Sequence, residues 1–151
     1  INVEQKNIEL GYVGKPTKIN DQIIKKFIKE NLIPVVSPMG LDVNNQAYNI
    51  NADTAAGAIA RSIKSRRLML LTDIDGVLDN NNKLISEINT TDAKNLINEE
   101  TIHGGMIPKI KTCIDAINNG VRAVVILDGR KPHSILYELF SDKGSGTLIR
   151  K

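Results

Sequence analysis

The chain has 151 residues, 41% hydrophobic and 25% charged, enough to bury a core, since a domain of this size removes about 70% of its unfolded surface from water. That composition excludes a disordered tail, and no apolar stretch approaches the roughly 20 residues that a membrane span requires. A net charge of +3 with three Tyr, two Phe and no Trp lacks the basic, aromatic-studded character of a nucleic-acid-binding domain. The one cysteine, Cys113, cannot form an internal disulfide and lacks companions at metal-ligand spacing, so a reducing, cytoplasmic setting is expected. Ile1 opens an extended polar segment with no Met before it, and the sequence is expected to be a piece of a longer protein.

In chain order, Asn20 is the expected N-cap of an amphipathic helix over 21–31, with Ile23, Ile24, Phe27 and Ile28 on one face and lysines opposite. The apolar run 32–37 reads as a buried strand. Pro38, Gly40 and the polar stretch 42–46 make a turn or small hairpin, which leads to an alanine-rich helix over 52–64. Residues 68–72 are continuous apolar sequence of the kind that lies in a parallel sheet covered on both faces, and they end in Asp73 and Asp75. Residues 80–83 form a loop tip, and Thr91 is the expected cap of a short helix over 92–98. Pro108 suits the first turn of a helix running to about Asn119, with Gly120 ending it. A buried strand over 122–127, a helix over 132–140, a loop over 141–146 and a strand over 147–150 complete the chain. Strands alternating with helices predict an α/β fold with a mostly parallel sheet, whose ligands bind beyond the carboxyl ends of the strands, where Asp73, Asp75 and Asp128 fall.

Two loop-to-helix junctions carry chemistry. Across 48–53, Asn49, Asn51 and Asp53 interleave with Ile50 and Ala52, as if alternating between a buried side and a ligand-facing side. An amide there can hold a carboxylate, and an acid can orient nearby lysines; Asp53 also suits a helix start on dipole grounds alone. Across 104–109, Gly104 and Gly105 permit close backbone approach to a ligand, and Lys109 in the first helical turn would carry its ammonium toward an anion bound at the same helix end. Such a set fits phosphoryl transfer, which needs positioning and neutralisation of the transferring group. The usual phosphate-cradling glycine loop with its own lysine does not occur in the chain.

A third segment, 73–78, resembles the nucleophile motif of haloacid dehalogenase-like phosphatases. Against that alternative, some seventy residues precede it, and the later apolar strand ends in Asp128 where those enzymes carry Ser or Thr. Acids at a strand end near a nucleotide are the better fit. His103 and His133 have no partnered acid in the sequence pattern, and Cys113 reads as a packing residue.

Five separated motifs, YNINADTAA (48–56), LTDIDGVLD (71–79), GGMIPK (104–109), DGR (128–130) and HSILYELFSDKGSGTLI (133–149), resemble the C-terminal half of the N-acetyl-L-glutamate kinases of the amino acid kinase family. The resemblance implies a three-layer αβα sandwich, a soluble homo-oligomeric enzyme of arginine biosynthesis, and transfer of the ATP γ-phosphoryl group to the side-chain carboxylate of N-acetyl-L-glutamate. It implies that Asn49, with Asn51 and Ala52, binds the acylated amino acid, that Asp53 organises the catalytic lysines, and that Lys109 stabilises the transferring group. Thr72, Asp73, Asp75, Gly76, Gly105 and Met106 would line the nucleotide site, with Mg2+ arriving on ATP and no metal held by the protein alone. Residues 1–36 are then the end of an N-terminal amino-acid-binding half and 37–151 the ATP-binding half. The family's glycine-rich loops, second lysine and substrate-gripping arginine lie in segments this chain lacks, so poor turnover by the chain alone is expected. The tail resembles that of arginine-inhibited members, which implies an effector role for Glu138, Gly144 and Gly146; some of those members also bind a PII-type regulator. Carbamate, glutamate, aspartate and uridylate kinases share the architecture, and the 49–53 string is what favours the acetylglutamate member.

Overall fold

The computed structural model describes residues 1–6 and 10–151. They form two compact units, Ile1–Ile63 and Lys64–Lys151, and the architecture is α/β in each.

The first unit holds β1 (Asn2–Gln5), β2 (Gly14–Lys18), α1 (Asp21–Lys29), β3 (Met39–Leu41), β4 (Ala47–Asn49) and α2 (Ala52–Ile63). Its sheet runs β2-β1-β3-β4, with β1 parallel to β3 and the other two pairs antiparallel. The expected hairpin is present as β3 and β4. Its turn is held by Asp42, whose Oδ1 accepts from the backbone N–H of Asn44 at 2.8 Å and of Gln46 at 2.9 Å, while Asn45 takes the left-handed φ of 62°. Asparagine tolerates that conformation better than most residues. Val3, Tyr48, Ile50 and Ala55, with Ile1, pack into one apolar cluster that ties β1, β4 and α2 together.

Two expectations in this unit fail. Residues 32–37 form no strand; Ile33 and Val35 are 90% and 95% exposed. An apolar run becomes a strand only when a neighbour satisfies its backbone groups, and no strand of this unit pairs with it. The helix at 21–29 starts after Asn20, but the Asn20 side chain makes no capping hydrogen bond, and of its apolar face only Ile24 is buried.

The second unit holds β5 (Arg67–Thr72), β6 (Glu87–Asn89), α3 (Thr90–Asn98), α4 (Met106–Asn118), β7 (Ala123–Asp128), α5 (Ser134–Phe140) and β8 (Thr147–Arg150). The sheet order is β5-β7-β8-β6; β5/β7 and β6/β8 are parallel and β7/β8 antiparallel. β7 is central, and Val124, Val125, Ile126 and Leu127 are all fully buried. α4 packs on β7 and β8 through Ile110, Cys113, Ala116 and Ile117, none more than 2% exposed, so Cys113 is a packing residue as expected. β5 sits at the sheet edge, and the expectation that it is covered on both faces is corrected: Leu68 and Leu70 are buried, but Leu71 is 49% exposed.

The cap of α3 also differs. Asn89, not Thr91, closes the helix, its Oδ1 accepting from the N–H groups of Thr91 at 2.9 Å and Asp92 at 2.8 Å. α4 begins two residues before Pro108, at Met106, and α5 begins at Ser134 because His133 takes a left-handed φ of 60°. Gly120, with φ +106°, ends α4 as expected. No helix among the described residues is long and apolar enough to cross a membrane.

Candidate active site

Asn49, Asn51, Ala52 and Asp53 belong to the first unit. The predicted alternation holds from Tyr48 to Asn51: Tyr48 and Ile50 are 7% and 1% exposed, whereas Asn49 and Asn51 face outward. It stops at Ala52, which is exposed, because α2 begins there and the period changes from 2 to 3.6. The strand is anchored by the Asn49 N–H donating to the Tyr12 carbonyl at 2.8 Å and the Ile50 N–H donating to that of Pro38 at 2.8 Å. Asn51 has a local structural task that the sequence reading missed. Its Oδ1 accepts from the Thr54 N–H at 3.1 Å and hydroxyl at 3.2 Å, which makes it the N-cap of α2; the signal was an Asn followed three residues later by a hydrogen-bonding side chain. Asp53 stands in the first turn, on the favourable end of the helix dipole.

The remaining candidates lie in the second unit. Gly105 and Met106 open α4, and Lys109 is in its first turn. Gly104 has φ +56°, a conformation that favours glycine. Gly105 does not: its φ of −66° suits any residue, and a Cβ built on it would meet no protein atom within 4 Å. Neither the backbone nor packing within the chain demands glycine there. The helix end thus presents bare backbone with open space in front of it.

Thr72 and Asp128 stand side by side at the carboxyl ends of β5 and β7. The Gly129 N–H donates to the Thr72 carbonyl at 2.8 Å, closing the two strand ends together, and the Thr72 hydroxyl lies 3.2 Å from Asp73 Oδ1. Asp128 is buried, and Arg130 folds back on it with Nε at 3.0 Å and Nη2 at 2.9 Å from the two carboxylate oxygens. Hydrogen bonding from that guanidinium, with the Arg130 N–H, draws the Asp128 carboxyl down to about 2. The same pairing holds the Arg130 proton more tightly, helped by Asp73 and Asp75 nearby. Lys131 Nζ is 2.8 Å from Asp75 Oδ1. Arg130 and Lys131 are the cations that the sequence reading did not place beside these acids; the signal was a basic pair just past a strand-end aspartate.

Gly76 has φ +150°, and a Cβ there would fall 2.6 Å from Thr147 Oγ1. That hydroxyl accepts from the Val77 N–H at 2.8 Å and donates to the Ile85 carbonyl at 2.7 Å, so Gly76 is needed to seat the loop after β5 against β8. Of the three tail candidates, Glu138 and Gly144 meet at one carboxylate. Buried Glu138 accepts from the Ser145 N–H at 3.0 Å and from Arg67 Nη1 at 3.4 Å, with Gly144 at φ +64° lying directly against it. Gly146 passes so close to β7 that a Cβ would lie 2.1 Å from the Ile126 carbonyl oxygen.

The sequence profile of the amino acid kinase family matches residues 1–128. The chain belongs to the amino acid kinase family. Within it, this family member is 60% identical over all 151 residues to the acetylglutamate kinase of Pelagibacter ubique, and 53% identical over 150 residues to that of Methylobacterium nodulans. It covers 100% and 99% of itself in those alignments but only 52% and 49% of the relatives, so it spans about half their length. Among solved structures it resembles an N-acetylglutamate synthase from Neisseria gonorrhoeae in complex with coenzyme A and L-arginine, with a TM-score of 0.88 at 27% identity over 94% of this chain and 33% of that one. The carbamate kinase of Giardia lamblia bound to AMP-PNP shares the fold, with a TM-score of 0.72 at 21% identity over 92% of this chain and 47% of that one. The fold of this family member is therefore α/β, the three-layer αβα sandwich of the family.

Proposed function

We propose that the protein of which these residues form part is an acetylglutamate kinase, transferring the γ-phosphoryl group of ATP to the side-chain carboxylate of N-acetyl-L-glutamate. The observation that carries this reading is the 60% identity to an acetylglutamate kinase along the whole chain. In the proposed reaction a carboxylate oxygen bonds to the γ-phosphorus as the bridging bond to ADP breaks, leaving an acyl phosphate. ATP supplies the phosphoryl group and brings Mg2+ on its phosphates, and together they furnish the electrophile.

The chain's own residues fit the task of holding it. Gly105 leaves open space at a helix N-terminus, where backbone N–H groups and the dipole favour a phosphate, and Lys109 in the same first turn would offset charge on the transferring group. Thr72, Asp73, Asp75 and Met106 are the proposed nucleotide-lining residues, with Gly76 shaping the loop after β5 that carries Asp73 and Asp75. Asn49, Asn51 and Ala52 are assigned to the acylated amino acid and Asp53 to ordering the lysines. The half boundary at residue 36, a cytoplasmic homo-oligomer, the PII-type regulator and the arginine effector role of Glu138, Gly144 and Gly146 are parts of the same proposal; for the last, the support is that the loop carrying Gly144 and Gly146 closes on the Glu138 carboxylate of α5.

A calorimetric titration of magnesium-ADP tests the nucleotide assignment. Saturable binding by the chain, weakened in Lys109→Ala, is expected. Binding that the substitution leaves unchanged would contradict the role given to Lys109.

A further inference from the structure

The carboxyl ends of β5 and β7 gather acids where sheets of this class take their ligands. Thr72 and Asp128 pair in register, and the chain runs on from them into Asp73 and Asp75 on one side and Arg130 and Lys131 on the other. Three carboxylates beside a polyphosphate would repel it unless cations intervene. The two cations present are held unequally. Arg130 grips both oxygens of buried Asp128 and its own N–H closes on Oδ1 at 2.9 Å, a bidentate arrangement fixed in geometry. Lys131 instead makes a single contact at 2.8 Å to Asp75, and both side chains are 49% exposed. A point-charge pair of that kind is weak and exchanges readily for another anion.

We propose that Lys131 is a further nucleotide-binding residue, its ammonium leaving Asp75 to take a phosphate oxygen of the bound nucleotide. Arg130 is a positioning residue: by locking onto Asp128 it fixes the 129–131 turn from which Lys131 reaches the strand ends. Lys131 is the cation of this cluster whose charge can move without breaking a buried pair. The proposal rests on the nucleotide reading of Asp73 and Asp75.

Magnesium-ADP and, separately, adenosine are titrated into the parent chain and into Lys131→Ala, Lys131→Arg and Lys131→Glu, with thermal unfolding of each recorded. Loss of one charge-assisted contact predicts about tenfold weaker magnesium-ADP binding in Lys131→Ala, a larger loss in Lys131→Glu, and near-parent affinity in Lys131→Arg. Adenosine affinity should be the same in all four. Parent-like magnesium-ADP binding by the Ala and Glu variants overturns the role of Lys131 and leaves the nucleotide site standing. Equal losses for adenosine and magnesium-ADP overturn the phosphate contact, and a parent chain that binds neither overturns the nucleotide reading and this proposal with it.

Discussion

Asp128 shows how one buried carboxylate shapes the site. Hydrogen bonds from Arg130 lower its carboxyl from the ordinary 3.8 to about 2 in the folded chain. The unfolded chain therefore binds more protons in that window. The stabilisation is complete above about pH 4 and is lost as the pH falls toward 2. In urea unfolding followed down the acid range, Asp128→Asn should be less stable than the parent at neutral pH, with the gap narrowing below about pH 4. Two glycines separate fold from site at the same scale. Gly146→Ala forces a methyl into the Ile126 carbonyl and should cost about 1–3 kcal/mol or more by urea unfolding. Gly105→Ala meets only open space and should change stability by less than about 0.5 kcal/mol, yet weaken magnesium-ADP binding. The glycines were visible in the sequence; which of them the fold needs was not, because that depends on a φ angle and on what stands opposite.

At the scale of elements, an apolar face located α1, alanine content located α2, flanking capping, proline and glycine residues located the other helices of the described residues, and continuous apolar runs located the two long strands β5 and β7. Three short strands did not announce themselves, although β8 and the β3–β4 hairpin did. β1, β2 and β6 are three to five polar-rich residues held by their neighbours, and the strongly apolar run 32–37, lacking such a neighbour, is no strand. Caps failed for a related reason: Asn89, Thr90 and Thr91 are all capping residues by type, and only the backbone shows that the Asn89 side chain meets two free helix N–H groups. Asn89→Ala should cost about 1 kcal/mol in urea unfolding, and Thr91→Ala much less. The loop tips were legible, and both use one device: Asp79 Oδ1 accepts from the N–H groups of Asn81 and Lys83 as Asp42 does in the hairpin.

For the molecule as a whole, the site motifs were readable because each sits at an element end, where chain geometry and chemistry coincide. The Lys131–Asp75 pairing was not, because it joins the ends of strands more than fifty residues apart in sequence; the Arg130–Asp128 pairing is local, and only the turn that folds Arg130 back on the strand end reveals it. The chain spans about half the length of its acetylglutamate kinase relatives, and the central claim concerns the activity of that longer protein. The measurement that tests it most directly is trapping of the acyl phosphate as its hydroxamate, with ATP and N-acetyl-L-glutamate, in the protein extended to the length of its relatives. Product is predicted with the extended protein, falling about a hundredfold or more in Lys109→Ala, and with little from the 151 residues alone. Unchanged turnover in Lys109→Ala, or robust turnover by this chain alone, would contradict the account.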